Sequence, residues 1–193
     1  MKTRKQQATE ATRAALLRVA RQRFAEEGFS GAEIGRIAAE ARVTTGAIYH
    51  HFGSKQGLFQ AVAEDLEAEL LAEAAQGDDP DPWRRLQRAF ERLIDMAGAP
   101  AVRRILFVEA PQVFGPEAWR EIEMRYAYGA MQGAITALQA GGALKPYPAP
   151  LIARTLLALL HETSAELERS NRDPAVRAQI GELVADVFGV FRA

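Results

Sequence analysis

Apolar residues recur at intervals of three and four along almost the whole chain, and no stretch alternates apolar and polar as a half-buried strand would. The expected fold is therefore all-α. From about Ala8 to Glu27, Leu16, Leu17, Ala20 and Phe24 fall on one helical stripe, and Gly28 ends it. Ser30 and Glu33 stand at capping-box spacing and predict a second helix that turns Ile34, Ile37, Ala38 and Ala41 inward. Thr44 is a good N-cap for a third helix of barely two turns, running through Ile48 to His51 and closed by Phe52 and Gly53. Ser54 caps a longer fourth helix in which Leu58, Val62, Leu66 and Leu70 recur every four residues beside Phe59.

Beyond it, residues 77–82 hold three Asp and two Pro and read as a loop. A fifth helix spans roughly Trp83 to Met96. Pro100, Pro111 and Pro116 bracket a short sixth around Ile105, Leu106, Phe107 and Val108, because proline is tolerated only in a first helical turn. A seventh extends from about Glu117 to Ala140 and ends at Gly141 and Gly142. After Pro146, Pro148 and Pro150, helices over about Leu151 to Arg169 and Pro174 to Phe191 complete the chain.

Composition narrows the class. With 193 residues, 48% hydrophobic and 25% charged, the chain can bury a core without staples. It has no cysteine, which excludes a disulfide scaffold, a Cys-ligated metal site and a thiol nucleophile. No secretory signal and no run of eighteen apolar residues is present, so a cytoplasmic protein with no membrane partner is expected. The net charge of −1 conceals an asymmetry: residues 1–55 carry ten Lys and Arg against five Glu, and the remainder 14 basic against 20 acidic residues. A basic module facing a polyanion, joined to an acidic body, would look like this.

Two short helices joined by a tight turn, behind a supporting helix and inside the basic part of the chain, meet the needs of a helix-turn-helix over about residues 33–52. A major groove about 12 Å wide admits one helix, whose N-terminal residues reach base edges while hydroxyls and amides hold phosphates. Thr44, Thr45, Gly46 and Ala47 would let the backbone of the third helix approach DNA closely. Tyr49 and His50 follow one turn later, and Lys55 stands at the start of the fourth helix. His51 is expected to pack inward, with Ile34, Ile37, Ala38, Val43, Ile48 and Phe52 as core.

Gly28-Phe29, Ile37-Ala38, Ala41, Val43-Thr44, Gly46, Ile48-Tyr49, His51-Phe52 and Ser54-Lys55 together resemble the TetR-family DNA-binding domain, over about residues 10–70. The resemblance implies three segments: a basic arm over 1–9 (Lys2, Arg4, Lys5), the DNA-binding domain over 10–70, and a helical ligand-binding and dimerisation domain over 71–193. It implies a homodimeric regulator, usually a repressor, that binds a pseudo-palindromic double-stranded operator and responds to a small-molecule effector. Two positions depart from the family pattern. Ala32 replaces a common capping Thr, and Arg42 replaces a turn glycine, so that it must accept an αL-like backbone or alter the turn locally, while offering a cation to phosphate.

In the family the middle helices hold the effector. Candidates for the lining here are Phe107, Trp119, Tyr126, Tyr128 and Met131, with Glu109, Glu123, Gln132, His161 and Glu162 as polar groups that could orient a ligand. The last two helices carry more apolar surface than one bundle face buries. Leu156, Leu159, Leu160 and Thr163, with Ile180, Leu183, Val187 and Phe191, are therefore expected in the dimer interface. No cofactor or metal is called for. An enzyme is disfavoured because the chain has no H-E-x-x-H, G-x-S-x-G, P-loop or G-x-G-x-x-G, and no His preceded at three residues by Glu. The remaining alternative is a dimeric helical ligand-binding or adaptor protein that has lost operator binding, with Ala32 and Arg42 as its best argument.

Overall fold

The computed structural model describes residues 3–193, with all side chains except those of Arg4, Lys5, Glu123 and Met124. Of the expected arm, Lys2 and the side chains of Arg4 and Lys5 thus lie outside the described residues. The fold is all-α, with one isolated antiparallel bridge between Leu144 and Arg192. Among the described residues, no helix is long and apolar enough to cross a membrane.

Helix α1 (Arg4–Gly31) begins one turn earlier than its apolar period indicates. Thr3 and Gln6 form a reciprocal capping box there, a start signal that needs no hydrophobic residue. Gly28 interrupts the helix with φ 75° and ψ 175°, as expected of a stop, but one further turn follows to Gly31. That turn takes Ser30 into the preceding element. Helix α2 (Ile34–Glu40) is therefore capped by Glu33 with no side-chain bond, and the expected Ser30–Glu33 box is not formed. The Ala32 methyl is fully buried instead. Helices α3 (Thr45–Phe52), α4 (Lys55–Ala74) and α5 (Pro82–Ala97) lie where the pattern puts them, with Thr44 and Asp81 capping α3 and α5.

Helix α6 differs from expectation. It is α-helical over Pro100–Val102, π-helical over Arg103–Glu109 and α-helical again over Ala110–Phe114, passing through Pro111. The Ala110 N–H reaches back five residues to the Ile105 carbonyl. The wider turn removes the conflict between the proline ring and the carbonyl four residues before it, so Pro111 does not end the helix. Helix α7 likewise runs Pro116–Glu123, then π-helical over Met124–Tyr128, then Gly129–Ala140. Helices α8 (Ala149–Arg169) and α9 (Pro174–Phe191) finish the chain.

Packing divides the chain into two compact units, Met1–Glu67 with Pro100–Arg120, and Ala68–Ala99 with Glu121–Ala193. By packing, residues 100–120 go with the first unit. In the first unit Leu16, Ala20 and Phe24 of α1, Leu58, Phe59 and Leu66 of α4, and Ile105 and Trp119 are all nearly inaccessible. An aromatic ladder runs through this unit: Phe24 to Phe59 at 4.9 Å, Phe59 to Phe114 at 5.8 Å, and Phe114 to Trp119 at 6.0 Å. In the second unit Phe188 is fully buried between Trp83 (5.3 Å) and Phe90 (5.1 Å), surrounded by Ile135, Ile152, Leu156 and Val184.

Candidate nucleic-acid interface

The turn between α2 and α3 is made by backbone geometry. The Arg42 N–H donates to the Ala39 carbonyl at 3.1 Å and the Val43 N–H to that of Ala38 at 3.0 Å, which requires a left-handed residue between them. Arg42 supplies it with φ 57°, so of the two outcomes open to it the backbone turns left-handed and the turn is kept. Thr44 then adopts an extended backbone, and its Oγ1 accepts the Ala47 N–H at 3.3 Å. The hydroxyl hydrogen is left as a donor at the helix tip.

Ile48 anchors α3, being fully buried, together with Ile37 and Ala38 of α2; Ile34, Val43 and Phe52 are only half-buried. Anchoring that face turns the other outward. Arg42, Thr44, Thr45, Gly46 and His50 are exposed, Ala47 is half-buried, and Tyr49 keeps 53% of its surface accessible. His51 is half-buried between the rings of His50 and Phe52, and Arg13 lies over Phe52 at 5.6 Å. At the far end, the Ser54 Oγ accepts the Gly57 N–H at 2.9 Å. A Cβ at Gly57 would collide with the Phe52 carbonyl, so glycine is what lets α4 start against the end of α3.

Not every cation of the basic module is turned to solvent. Arg23 donates twice to Glu40 (2.5 and 3.0 Å) and once to Glu27 (3.0 Å), and these hydrogen bonds, that of Glu40 first, raise its pKa above the ordinary value. Arg23 therefore straps α1 to α2. Lys55, expected at phosphate, donates to the Ser30 carbonyl at 3.2 Å and covers the Phe29 ring at 4.9 Å. It is half-buried, and its remaining N–H groups are donors still to be placed.

The expected effector residues divide between the units. In the first, Phe107 is half-buried, Trp119 is buried against Phe114, and Glu109 accepts the Phe29 N–H at 3.0 Å and pairs with Arg104 at 3.5 Å. Glu109 and Trp119 thus have structural partners that sequence reasoning did not foresee. In the second unit Met131 is core, Tyr128 packs against that core, and Tyr126 and Gln132 are half-buried. His161 and Glu162 are exposed, and the Glu123 side chain lies outside the described residues.

The residues expected at a dimer interface differ in what the folded single chain leaves accessible. Leu156, Leu160, Thr163 and Ile180 are buried within the single chain and have no surface left for a partner. Leu159, Val187 and Phe191 are half-buried, while Leu183 is 50% exposed and is joined by Leu151 (52%) and Val190 (58%), which the sequence reading passed over.

A capped, outward-facing second helix held by a buried anchor defines a helix-turn-helix module carried on a helical protein. Its relatives agree. The family model for bacterial regulatory proteins of the tetR family matches residues 16–62, and that for the tetracyclin repressor-like C-terminal domain matches residues 83–189. The chain is 33% identical over 153 residues to the HTH-type transcriptional repressor SCO4008 of Streptomyces coelicolor, covering 78% of this chain and 77% of that one. Among solved structures, a TetR-family transcriptional regulator from Pectobacterium atrosepticum superposes with TM-score 0.74 and 28% identity, covering 96% of this chain and 95% of its own. RolR in complex with resorcinol shares the fold, with TM-score 0.69 and 20% identity over 96% of this chain and 89% of its own. The chain belongs to the TetR family of transcriptional regulators, a family of DNA-binding repressors.

Proposed function

We propose that this protein is an effector-responsive repressor that binds a pseudo-palindromic operator as a homodimer, reading it with the exposed face of α3. The observation that carries the reading is the split character of that helix: Ile48 fully buried, and Thr44, Thr45, Gly46, Tyr49 and His50 turned outward. Hydroxyls and N-terminal amides at its tip suit phosphate, Tyr49 and His50 suit base edges, and Arg42 adds a cation beside them. One such helix makes few contacts. Two, held by a dimer, double them and add a half-site spacing of about 34–36 Å or a multiple of it.

The dimer is proposed to form through the outward faces of α8 and α9, where Leu183, Val187 and Val190 recur at helical spacing. For an effector, Tyr126, Tyr128 and Gln132 remain the candidates in the second unit, since they are half-buried and combine apolar bodies with polar ends. The first two lie in a π-helical segment, a distortion frequent at functional sites. An effector that prefers the DNA-incompetent state by about 1–3 kcal/mol would weaken operator binding 5- to 150-fold.

The test is gel retardation of the DNA upstream of the protein's own coding sequence, with wild type, Tyr49→Phe and Lys55→Ala. Retardation that both changes weaken, and that falls steeply as salt rises, is expected. No retardation even at low salt would instead favour an adaptor that has lost its operator.

A further inference from the structure

Helix α1 is broken at Gly28, and a broken helix leaves carbonyls without donors before the break and amides without acceptors after it. Groups on both sides of the break find partners at one place on α6. The Arg104 Nη1 donates to the carbonyls of Ala25 (3.1 Å) and Glu26 (2.9 Å), while the Glu109 Oε2 accepts the Phe29 N–H at 3.0 Å. The two side chains also pair with each other, Nε to Oε1 at 3.5 Å. They close over Gly28 so tightly that a Cβ there would collide with Glu109 and stand 2.8 Å from Arg104. Immediately after the break, the held segment meets the start of α4: the Ser30 carbonyl accepts Lys55 and the Phe29 ring lies beneath it, three residues past the end of α3. Gln56 adds a bond to the Val113 carbonyl of α6 at 3.3 Å.

We infer that Arg104 and Glu109 are positioning residues for DNA recognition: they splint the Gly28 break from both sides and, through Phe29, Ser30 and Lys55, set the pose of α3. The inference rests on the DNA-reading role of α3 proposed above. The splint is directional, because a donor must face the carbonyls and an acceptor must face the amide. It is not merely an ion pair.

The experiment uses the full-length protein and two duplexes of equal length, one enriched by wild type from a random pool and one of unrelated sequence, with affinities read by fluorescence anisotropy. Arg104→Met and Glu109→Leu should each weaken binding to the enriched duplex roughly tenfold or more, the scale of losing charge-assisted hydrogen bonds. Binding to the unrelated duplex should change far less, because the phosphate-facing cations remain. Arg104→Lys and Glu109→Gln keep a donor and an acceptor, so both should retain the preference for the enriched duplex. Hydrogen exchange at the Phe29 amide should quicken in the Glu109→Leu variant and stay slow in Glu109→Gln. Three results overturn the inference: unchanged selectivity in the Met and Leu variants, a parallel loss on both duplexes that follows a loss of folded protein, or equal damage from the conservative pair. If wild type enriches no duplex at all, the DNA reading itself falls before any variant is made, which separates the two failures.

Discussion

Arg42 bears two opposed demands, a left-handed backbone that its side chain disfavours and a charge that DNA would use. Replacing it with glycine should relieve the strain and raise stability by about 0.5–1 kcal/mol in chemical denaturation. The same change should weaken DNA binding and lower the slope of log affinity against log salt by about 1, the mark of one lost phosphate contact. An unchanged slope would remove Arg42 from the interface. His161 makes a prediction of another kind. Although exposed, its ring is desolvated enough by neighbouring protein to lower its pKa below the ordinary 6.5, with the charge of Glu162 opposing the shift. As pH falls, the unfolded chain therefore takes up this proton before the folded one, so the contribution to stability is present above 6.5 and is lost on acidification below it. In His161→Gln, denaturation midpoints between about pH 7 and pH 5 should fall less steeply than in wild type.

At the scale of elements, short-range signals were the legible ones. Thr44 and Ser54 cap α3 and α4 through bonds that close within three residues, and residue type with spacing suffices to find them, whereas Asp81 caps α5 from a stretch read only as a loop. Thr44→Ala should accordingly cost about 1 kcal/mol and fray the tip of α3, visible as faster amide exchange at Ala47. The Ser30–Glu33 box has the same spacing and does not form, because the turn after Gly28 keeps Ser30 within α1. Pro111 was a stop signal that α6 ignores, since the π-helical turn before it carries the Ala110 N–H back to the Ile105 carbonyl and makes room for the ring. Gly28→Ala joins a forbidden conformation to a collision and should cost at least about 2 kcal/mol by denaturant titration, more than the cap.

For the molecule as a whole, the dimer proposed through α8 and α9 can use only the faces that folding leaves exposed. Leu183→Asp with Val190→Asp should leave melting of the single chain nearly unchanged and shift sedimentation to the monomer, with loss of operator binding. Leu156→Ala, inside the core, should cost about 2–5 kcal/mol of stability with the oligomeric state kept in the protein that remains folded. A reversed pattern would place the interface elsewhere. The amino-acid order alone determined that the chain is helical, where most helices begin and end, and which short helix carries the hydroxyls, Tyr49 and His50 outward. Those properties follow from period, capping and turn chemistry, which act over a few residues. Tertiary structure alone decided that residues 100–120 pack with the first unit and that Leu156 and Ile180 face inward while Leu183 does not. It also decided that Arg104 and Glu109 mend a helix about eighty residues before them. An apolar period says that a face is buried but never against what, and a charge says that it needs a partner but never which one.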